Sequence, residues 1–503
     1  MPRTKHPRPH EGGTAMQQLT GMDASFLYFE TPRTPMHIGS IQIYDQASLP
    51  GGVQGFKTIL KFIEERLHGA RTFRQKLVDV PFGIDHPYWI EDKDFDLEFH
   101  VRHIRLPQPG DWRQLCIQAA RLHSRPLDLS KPLWEFTVIE GLDGIDGIPK
   151  GCYAIVSKIH HACVDGVSGV DMIQAIHDLD PHDPQIRPPT APWRGEEMPN
   201  PLELLARASI NNALQPFRFA EVLARSLPAM GRVSQGIAQR RFGAARTVPR
   251  TRFNGTVSAH RVVEGCSFDL KEMRAIKSSV PGATINDVVL TVCGGALRAY
   301  LESKNELPAE SMIAMAPISV RTQDQRGTGG NQVAAMNVAI GTHIADPVER
   351  LNAVHADANA SKEMTQAVGA KLMTDYSQFI PSTTASLAAR LYTNLGMANR
   401  TNPVFNCVIT NVPGPQVPLY CAGAKLVAQY GLGPLFDGMG LIFPVVSYYG
   451  RLTISVTSCR EMLPDPEFFA ACIQRSYDDL KAATLGRMAD AVAARADAVA
   501  APG

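Results

Sequence analysis

Hydrophobic positions along the chain follow two periods. Residues Met36 to Tyr44 (MHIGSIQIY) alternate apolar and polar after Gly39, the pattern of a half-buried strand. Trp134 to Glu140 (WEFTVIE) and Cys152 to His160 (CYAIVSKIH) are denser apolar runs and also predict strands. Residues 56–68 and 111–124 carry helical spacing; in the second, Leu115, Ala119 and Leu122 fall on one face. Asp165-Gly166 is a turn signal. Beyond it Val167, Val170, Ile173 and Ile176 recur every three residues, predicting an amphipathic helix that ends near Leu179.

Regular patterning stops between Pro181 and Pro201, a stretch with seven prolines. Residues 203–252 read as helical segments broken at Pro216 and Pro228. A second set of elements then begins: a strand from Arg261 to Phe268, and a helix from Thr284 to Tyr300 with Thr284 as its cap and Asp287 at the N3 position. Strands are predicted for Ser311–Val320 and Phe405–Asn411. Leu441–Tyr448 and Leu452–Cys459 flank Tyr449-Gly450-Arg451 as a hairpin, and Pro466–Leu480 is a final helix. The chain thus divides into a disordered extension (1–16), a first domain (17–200), a basic helical connector (201–254), a second domain (255–486) and an alanine-rich frayed tail (487–503). Strands and helices mix irregularly, with hairpins among them. The fold class is therefore α/β, two layered domains with mixed sheets.

Composition narrows the function classes. With 503 residues, 44% of them hydrophobic and 20% charged, the chain can bury a large core. A net charge of +1 supplies no general field for nucleic acid. Nine cysteines without CxxC pairs read as small buried hydrophobes in a reducing compartment. The N-terminal stretch lacks the apolar core of a secretory signal, and no apolar run reaches the length of a membrane span. These features predict a cytoplasmic protein. The 203–252 segment alone is charged, with nine arginines against Glu203 and Glu221, a net +7. It reads either as a solvated connector or as a basic surface for anionic lipid head groups or the phosphates of a carrier.

The candidate chemistry lies in KIHHACVDG, Lys158 to Gly166. Adjacent residues of a strand point to opposite faces, so His160 and His161 do not act as a pair. That geometry, with no third ligand at suitable spacing, argues against a metal. A histidine held in one tautomer can accept a proton at neutral pH, as an alcohol or amine attacking a thioester requires. No GxSxG elbow is present and no cysteine has a visible partner base, so nothing suggests a covalent intermediate. By residue types alone an ordinary loop explains the stretch equally well.

HHACVDG fits HHxxxDG, the signature of CoA-dependent acyltransferases and peptide-synthetase condensation domains. MDASFLYFETPRTPMHIGSIQIY (Met22 to Tyr44), KPLWEF (Lys131 to Phe136), INDVVL (Ile285 to Leu290), PISVR (Pro317 to Arg321) and NVPGP (Asn411 to Pro415) accompany it. In this order, from about Leu19 to Leu485, the blocks resemble the bacterial wax ester synthase/acyl-CoA:diacylglycerol acyltransferase family. The resemblance implies a fold like that of chloramphenicol acetyltransferase, two related α/β domains with an active-site tunnel between them. It implies transfer of a long-chain acyl group from acyl-CoA to a long-chain alcohol or diacylglycerol, giving wax ester or triacylglycerol. Acyl-CoA is then a substrate, and no cofactor or metal is implied.

By the same resemblance His161 is the general base and His160 is structural. Asp165 pairs with an arginine, for which Arg321 is the candidate, and Gly166 permits the turn. Asn286 of the Asn-Asp motif is a candidate contact to the substrate carbonyl or oxyanion, Trp134 is core, and NVPGP shapes the tunnel. A water-insoluble acceptor implies peripheral association with a membrane or lipid-body surface. Two other readings stay open: a condensation-type enzyme acting on carrier-bound substrates, and a non-catalytic lipid-body-binding protein on the same fold.

Overall fold

The structure is a computed structural model. It describes residues 16–47, 49, 52, 54–164, 168–182, 193–238, 247–319, 333–368, 387 and 391–500; within these, 168–170, 218, 222–238, 318–319, 333–334, 366–368 and 487–500 are described by backbone alone. The sheet that carries the two histidines has six strands in the order β12 (Tyr420–Cys421), β13 (Ala424–Leu432), β2 (His37–Asp45), β7 (Tyr153–His160), β6 (Trp134–Glu140) and β5 (Val101–Arg105). The second runs β10 (Val333–Ala339), β9 (Ile313–Ser319), β11 (Cys407–Pro413), β14 (Leu441–Tyr448), β15 (Arg451–Cys459) and β8 (Arg261–Asp269). A small third sheet joins β1 (Gln17–Gln18), β4 (Tyr88–Glu91) and β3 (Gln75–Val78). Both large sheets are mixed: β5 runs parallel to β6, and β11 runs parallel to β9 and β14, within otherwise antiparallel ladders.

Among the described residues, ten helices pack around them: α1 (Gly21–Phe29), α2 (Phe56–Glu64), α3 (Leu97–His100), α4 (Trp112–His123), α5 (Ser168–Ala175), α6 (Pro201–Ala238), α7 (Leu270–Ser278), α8 (Ile285–Ser303), α9 (Pro347–Val368) and α10 (Pro466–Ala500). The first sheet is covered on both faces, which explains why every residue of β7 is buried. Tyr153, Ile155 and Ile159 of β7 join a core with Ile59 and Ile63 of α2 and Met172 and Ala175 of α5. Ala154 and Val156 face the other way, into a core with Leu115 and Ala119 of α4. By this alternation Lys158 and His160 belong to the α4 face. In the second half, α8 runs through the largest core, with Val288, Val289, Val292, Cys293, Ala296 and Leu297 inaccessible to solvent.

The structure departs from the sequence reading in four places. First, β12 and β13 lie late in the chain but complete the first sheet: β13 pairs antiparallel with β2, Tyr430 opposite Ile41. A division at residue 254 does not anticipate this exchange, because strand partners are not written in local periodicity. Second, α6 continues through Pro216 and Pro228. Each proline removes one donor, a loss that a long helix absorbs by bending. Third, α10 does not fray after Leu485 but extends to Ala500, consistent with alanine's high helix propensity. Fourth, α5 stops at Ala175 and not near Leu179, because Asp178 leaves the helix to exchange backbone hydrogen bonds with Tyr420 at 2.8 and 2.9 Å.

Gly39 permits the closest approach in the first sheet. A Cβ there would lie 2.1 Å from the Ser157 carbonyl oxygen of β7. Gly39→Ala must therefore push β2 and β7 apart. Urea unfolding of this variant is expected to show a loss of about 1–3 kcal/mol; an unchanged midpoint and slope would mean that the strands yield without strain.

Candidate active site

β7 ends at His160, and His161 opens a 3-10 turn, His161–Cys163. The two imidazoles part at this junction. The His160 ring is fully buried. Its Nδ1 accepts the Ala162 backbone N–H at 3.1 Å, so Nε2 carries the proton and donates to Glu30 Oε2, also at 3.1 Å. One tautomer is thereby selected. Glu30 is the residue after α1, a helix capped by Thr20, whose hydroxyl accepts the Asp23 N–H. His37, opposite His160 in the β2–β7 register, completes the group, with Nε2 3.6 Å from Glu30 Oε1. Burial, then the neighbouring His123, Lys158 and His160, hold His37 well below the ordinary histidine pKa, so it is neutral.

His161 is placed differently. Its backbone N–H donates to the Met36 carbonyl at 2.8 Å. Its ring stacks on Phe26 of α1, centroids 3.9 Å apart and planes 13° from parallel. Nδ1 has no hydrogen-bond partner among the described residues. Burial lowers the His161 pKa to about 4; its own backbone carbonyl opposes this and His160 reinforces it. The ring is therefore a neutral imidazole at physiological pH, oriented by a flat aromatic contact. Cys163, two residues on, is buried and its thiol is pushed well above the ordinary range by desolvation and by Asp23. It is not a ready nucleophile.

The Asn-Asp motif opens α8. Thr284 and Asp287 form a reciprocal capping box, as the sequence predicts. Asp287 Oδ2 also takes a hydrogen bond from His355 Nδ1 of α9, at 2.9 Å. Asn286, in the first turn, is half-buried, and its Oδ1 lies 3.5 Å from Nδ2 of Asn411, the asparagine of NVPGP at the end of β11. Two motifs 125 residues apart thus meet side by side. Trp134 is inaccessible to solvent and donates Nε1–H to the Phe73 carbonyl at 2.9 Å, which makes it core. Asp165, Gly166 and Arg321 lie outside the described residues. Among the described residues no group of three histidine, cysteine or acidic side chains is arranged to hold a metal ion.

Sequence reasoning missed Phe26, Glu30, His37 and His355. The first three lie inside the Met22–Tyr44 block, whose sequence reading gives a strand over Met36–Tyr44 and a family likeness but no role for these side chains. Glu30 and His37 are polar residues bordering apolar runs, a signal for buried partners. Phe26 carries no such signal, since an aromatic in a helix is ordinarily core.

Two α/β halves, each around a six-stranded mixed sheet, with a half-buried histidine just past a strand end, give the chloramphenicol acetyltransferase-like fold. The solved wax ester synthase/diacylglycerol acyltransferase from Marinobacter aquaeolei VT8 superposes with a TM-score of 0.64 and 26% identity, covering 93% of this chain and 100% of that one. The first condensation domain of the calcium-dependent antibiotic synthetase shares the fold at 13% identity, with a TM-score of 0.53 over 94% of this chain and 97% of its own. Residues 19–289 match the wax ester synthase/diacylglycerol acyltransferase catalytic domain, and residues 329–481 match the C-terminal domain of that family. The O-acyltransferase WSD of Acinetobacter baylyi is 34% identical over 462 residues, 89% of this chain and 93% of its own. A Mycobacterium tuberculosis protein provisionally named a diacylglycerol O-acyltransferase is 33% identical over 455 residues, 90% of this chain and 88% of its own. The chain belongs to the wax ester synthase/diacylglycerol acyltransferase family.

If the Phe26 ring keeps water from His161, its removal must hydrate the imidazole. Phe26→Ala is expected to move the titration midpoint of His161 from near 4 up toward the usual 6.5, followed by NMR of the ring protons. A midpoint unchanged from the parent protein would show that Phe26 does not set the ring's surroundings.

Proposed function

We propose that the chain transfers a long-chain acyl group from acyl-CoA to the hydroxyl of a long-chain alcohol or diacylglycerol, with His161 as general base. The observation that carries this reading is the state of His161, a neutral imidazole held flat against Phe26 at the end of β7. In the reaction, an imidazole nitrogen takes the hydroxyl proton as the oxygen attacks the thioester carbonyl carbon. The tetrahedral intermediate then expels the CoA thiolate, the C–S bond breaks, and the imidazolium returns its proton to sulfur. No acyl-enzyme is formed.

His160 acts through the fold: fixed by Ala162 and Glu30, it locks the strand end from which His161 projects. Asn286 Oδ1 is turned toward Asn411, which leaves its amide N–H groups, in the first turn of α8, free to donate to a developing oxyanion. Asp165 and Arg321 remain the proposed pair that braces the turn after His161.

Replacing the base should remove chemistry and spare the fold. His161→Ala is expected to reduce wax ester formation from palmitoyl-CoA and hexadecanol by about 10²–10⁴-fold, with unfolding little changed. For the parent protein the acid limb of kcat/KM should lie near pH 4 and not near 6.5. Turnover in folded His161→Ala close to that of the parent would remove His161 from this role.

The acceptor and product are nearly insoluble in water, and among the described residues no helix is long and apolar enough to cross a membrane. We therefore place the enzyme reversibly on a membrane or lipid-body surface, through α6. This helix exposes Leu202, Ile210, Leu214, Phe217 and Phe219, with Leu202 72% and Phe217 74% accessible. Its arginines add attraction to anionic lipid, about 1 kcal/mol each when near the surface. Arg225 and Arg232 belong to α6 with only their backbone described, and Arg240 and Arg241 of the same basic sequence stretch lie outside the described residues. In liposome co-sedimentation, binding should be greater to anionic than to neutral vesicles, weaken with salt, and fall on Phe217→Ser/Leu214→Ser. Binding indifferent to all three would exclude α6 as the docking face.

A further inference from the structure

The two halves of the molecule meet where α4 lies against β8, and a cavity of about 500 Å³ opens along this seam. That is the size of a small-molecule site. It is lined by α4, by the start of β8, and by the turn that leads from β15 into α10. His161, Asn286 and Asn411 are not among its lining residues.

Its charges do not cancel locally. Of its carboxylates, Glu467 is taken by Arg113. Asp465 accepts from Tyr300 at 2.6 Å and Lys304 at 2.5 Å. Glu264 accepts the indole N–H of Trp112 and the Gly265 backbone N–H, while burial raises its pKa. Three guanidinium groups are left: Arg121 from the last turn of α4, Arg261 from the first position of β8, and Arg460 just after β15. Arg121 and Arg460 are exposed, and neither side chain meets a hydrogen-bond or ion-pair partner among the described residues.

Arg261 is the informative one, because it is only 5% accessible. It donates to the Ser258 carbonyl and, at 2.7 Å, to the Arg33 carbonyl, which hold its position without neutralising its charge. No carboxylate lies within ion-pair distance of it among the described residues. Glu461 acts on it from farther away and is itself bonded to Ser258 and His260. Burial brings its pKa only down to about 10, so the group stays charged at neutral pH. A buried, uncompensated cation bordering an open cavity is unfavourable until an anion arrives.

We propose that this seam cavity binds a phosphate-bearing anion through Arg121, Arg261 and Arg460. Arg121, Arg261 and Arg460 come to the cavity wall from three elements, and a multiply charged group with several oxygens can engage more than one of them, which a single carboxylate cannot. In the reaction proposed above only acyl-CoA carries phosphates, so its nucleotide end is the source that reading offers, and to that extent this inference rests on it. Free inorganic phosphates share the chemistry. Arg121 comes from the first half of the chain, and Arg261 and Arg460 come from the second. An anion between them would therefore also join the two halves.

The test is isothermal titration of the full chain with CoA, 3′-dephospho-CoA and inorganic pyrophosphate, in the parent protein and in Arg121→Gln/Arg460→Gln. Both residues are exposed, so the variant should fold, and its Tm checks that it does. CoA affinity is expected to drop about tenfold for each guanidinium lost, with a matching rise in KM for palmitoyl-CoA; dephospho-CoA should lose less. If the variant loses pyrophosphate but keeps CoA, the site stands with free phosphate as its occupant. Equal affinity of parent and variant for both CoA and pyrophosphate overturns the proposal, and so does a parent protein that binds neither. The two readings fail separately. A parent protein that binds pyrophosphate through these arginines yet transfers no acyl group from palmitoyl-CoA keeps the site and loses the reaction. Transfer with the same KM in both proteins, and equal pyrophosphate affinity, keeps the reaction and loses the site.

Discussion

The pairing of β2 with β7 in one register is the constraint from which the site follows. Eight residue pairs run from His37 opposite His160 to Tyr44 opposite Tyr153. A slip of one residue would turn each side chain of β7 to the other face of the sheet. Both faces resist that slip. Ile41, Ile43, Ala154 and Val156 fill the core under α4, and Tyr44 stacks on Tyr153 in the other core at 5.1 Å. Gly39 lets the strands close, and the Ser40 and Ser157 hydroxyls meet at 2.9 Å. With the register set, His160 can reach Glu30, His37 stands beside it, and His161 is the first residue free of the ladder.

A second constraint joins the halves. β13 leaves the second half of the chain to pair with β2, so the first sheet cannot be completed without residues 424–432. Tyr430 of this strand packs on Trp112 of α4, ring centroids 4.5 Å apart, and a Cβ on Gly265 of β8 would lie only 2.6 Å from its ring. Arg33, near the start of β2, reaches the Val257 carbonyl and lies 3.5 Å from Asp437. The halves are therefore interlocked. An acyl transfer that needs donor and acceptor held within a few tenths of an ångström benefits from such a joint.

The polar interior between β7 and α4 shows how this fold treats charge. Lys158 is buried, paired with Glu135 at 3.0 Å and bonded to the Leu122 and Arg125 carbonyls at the end of α4. His123 is buried, bonded to the Gly433 carbonyl, and brought to about 4 mainly by desolvation. Every cation here is either paired or kept neutral, which is what a low-dielectric interior demands. Arg261, held by two backbone carbonyls with no carboxylate within ion-pair distance among the described residues, borders the seam cavity.

Much of this was legible in the chain. Alternation located β2, and dense apolar runs located β6 and β7, to within a residue or two, because a strand with one buried face writes a period of two and a strand buried on both faces writes a continuous apolar run. Thr284 and Asp287 announced the start of α8, since capping is local chemistry between residues three apart. HHxxxDG drew attention to both histidines, but alternation along a strand is not what parts them: β7 ends at His160, and His161 opens the 3-10 turn that follows. What only tertiary structure decided is which distant residues meet. Glu30 beside His160, Phe26 against His161, His355 on Asp287 and Asn286 beside Asn411 join segments with no periodic relation, and β13 crosses to a sheet begun almost 400 residues earlier. Local spacing encodes which face of an element is buried. The partner across that face is chosen by the packing of the whole chain, where burial makes an unpaired polar group expensive and an empty space costly.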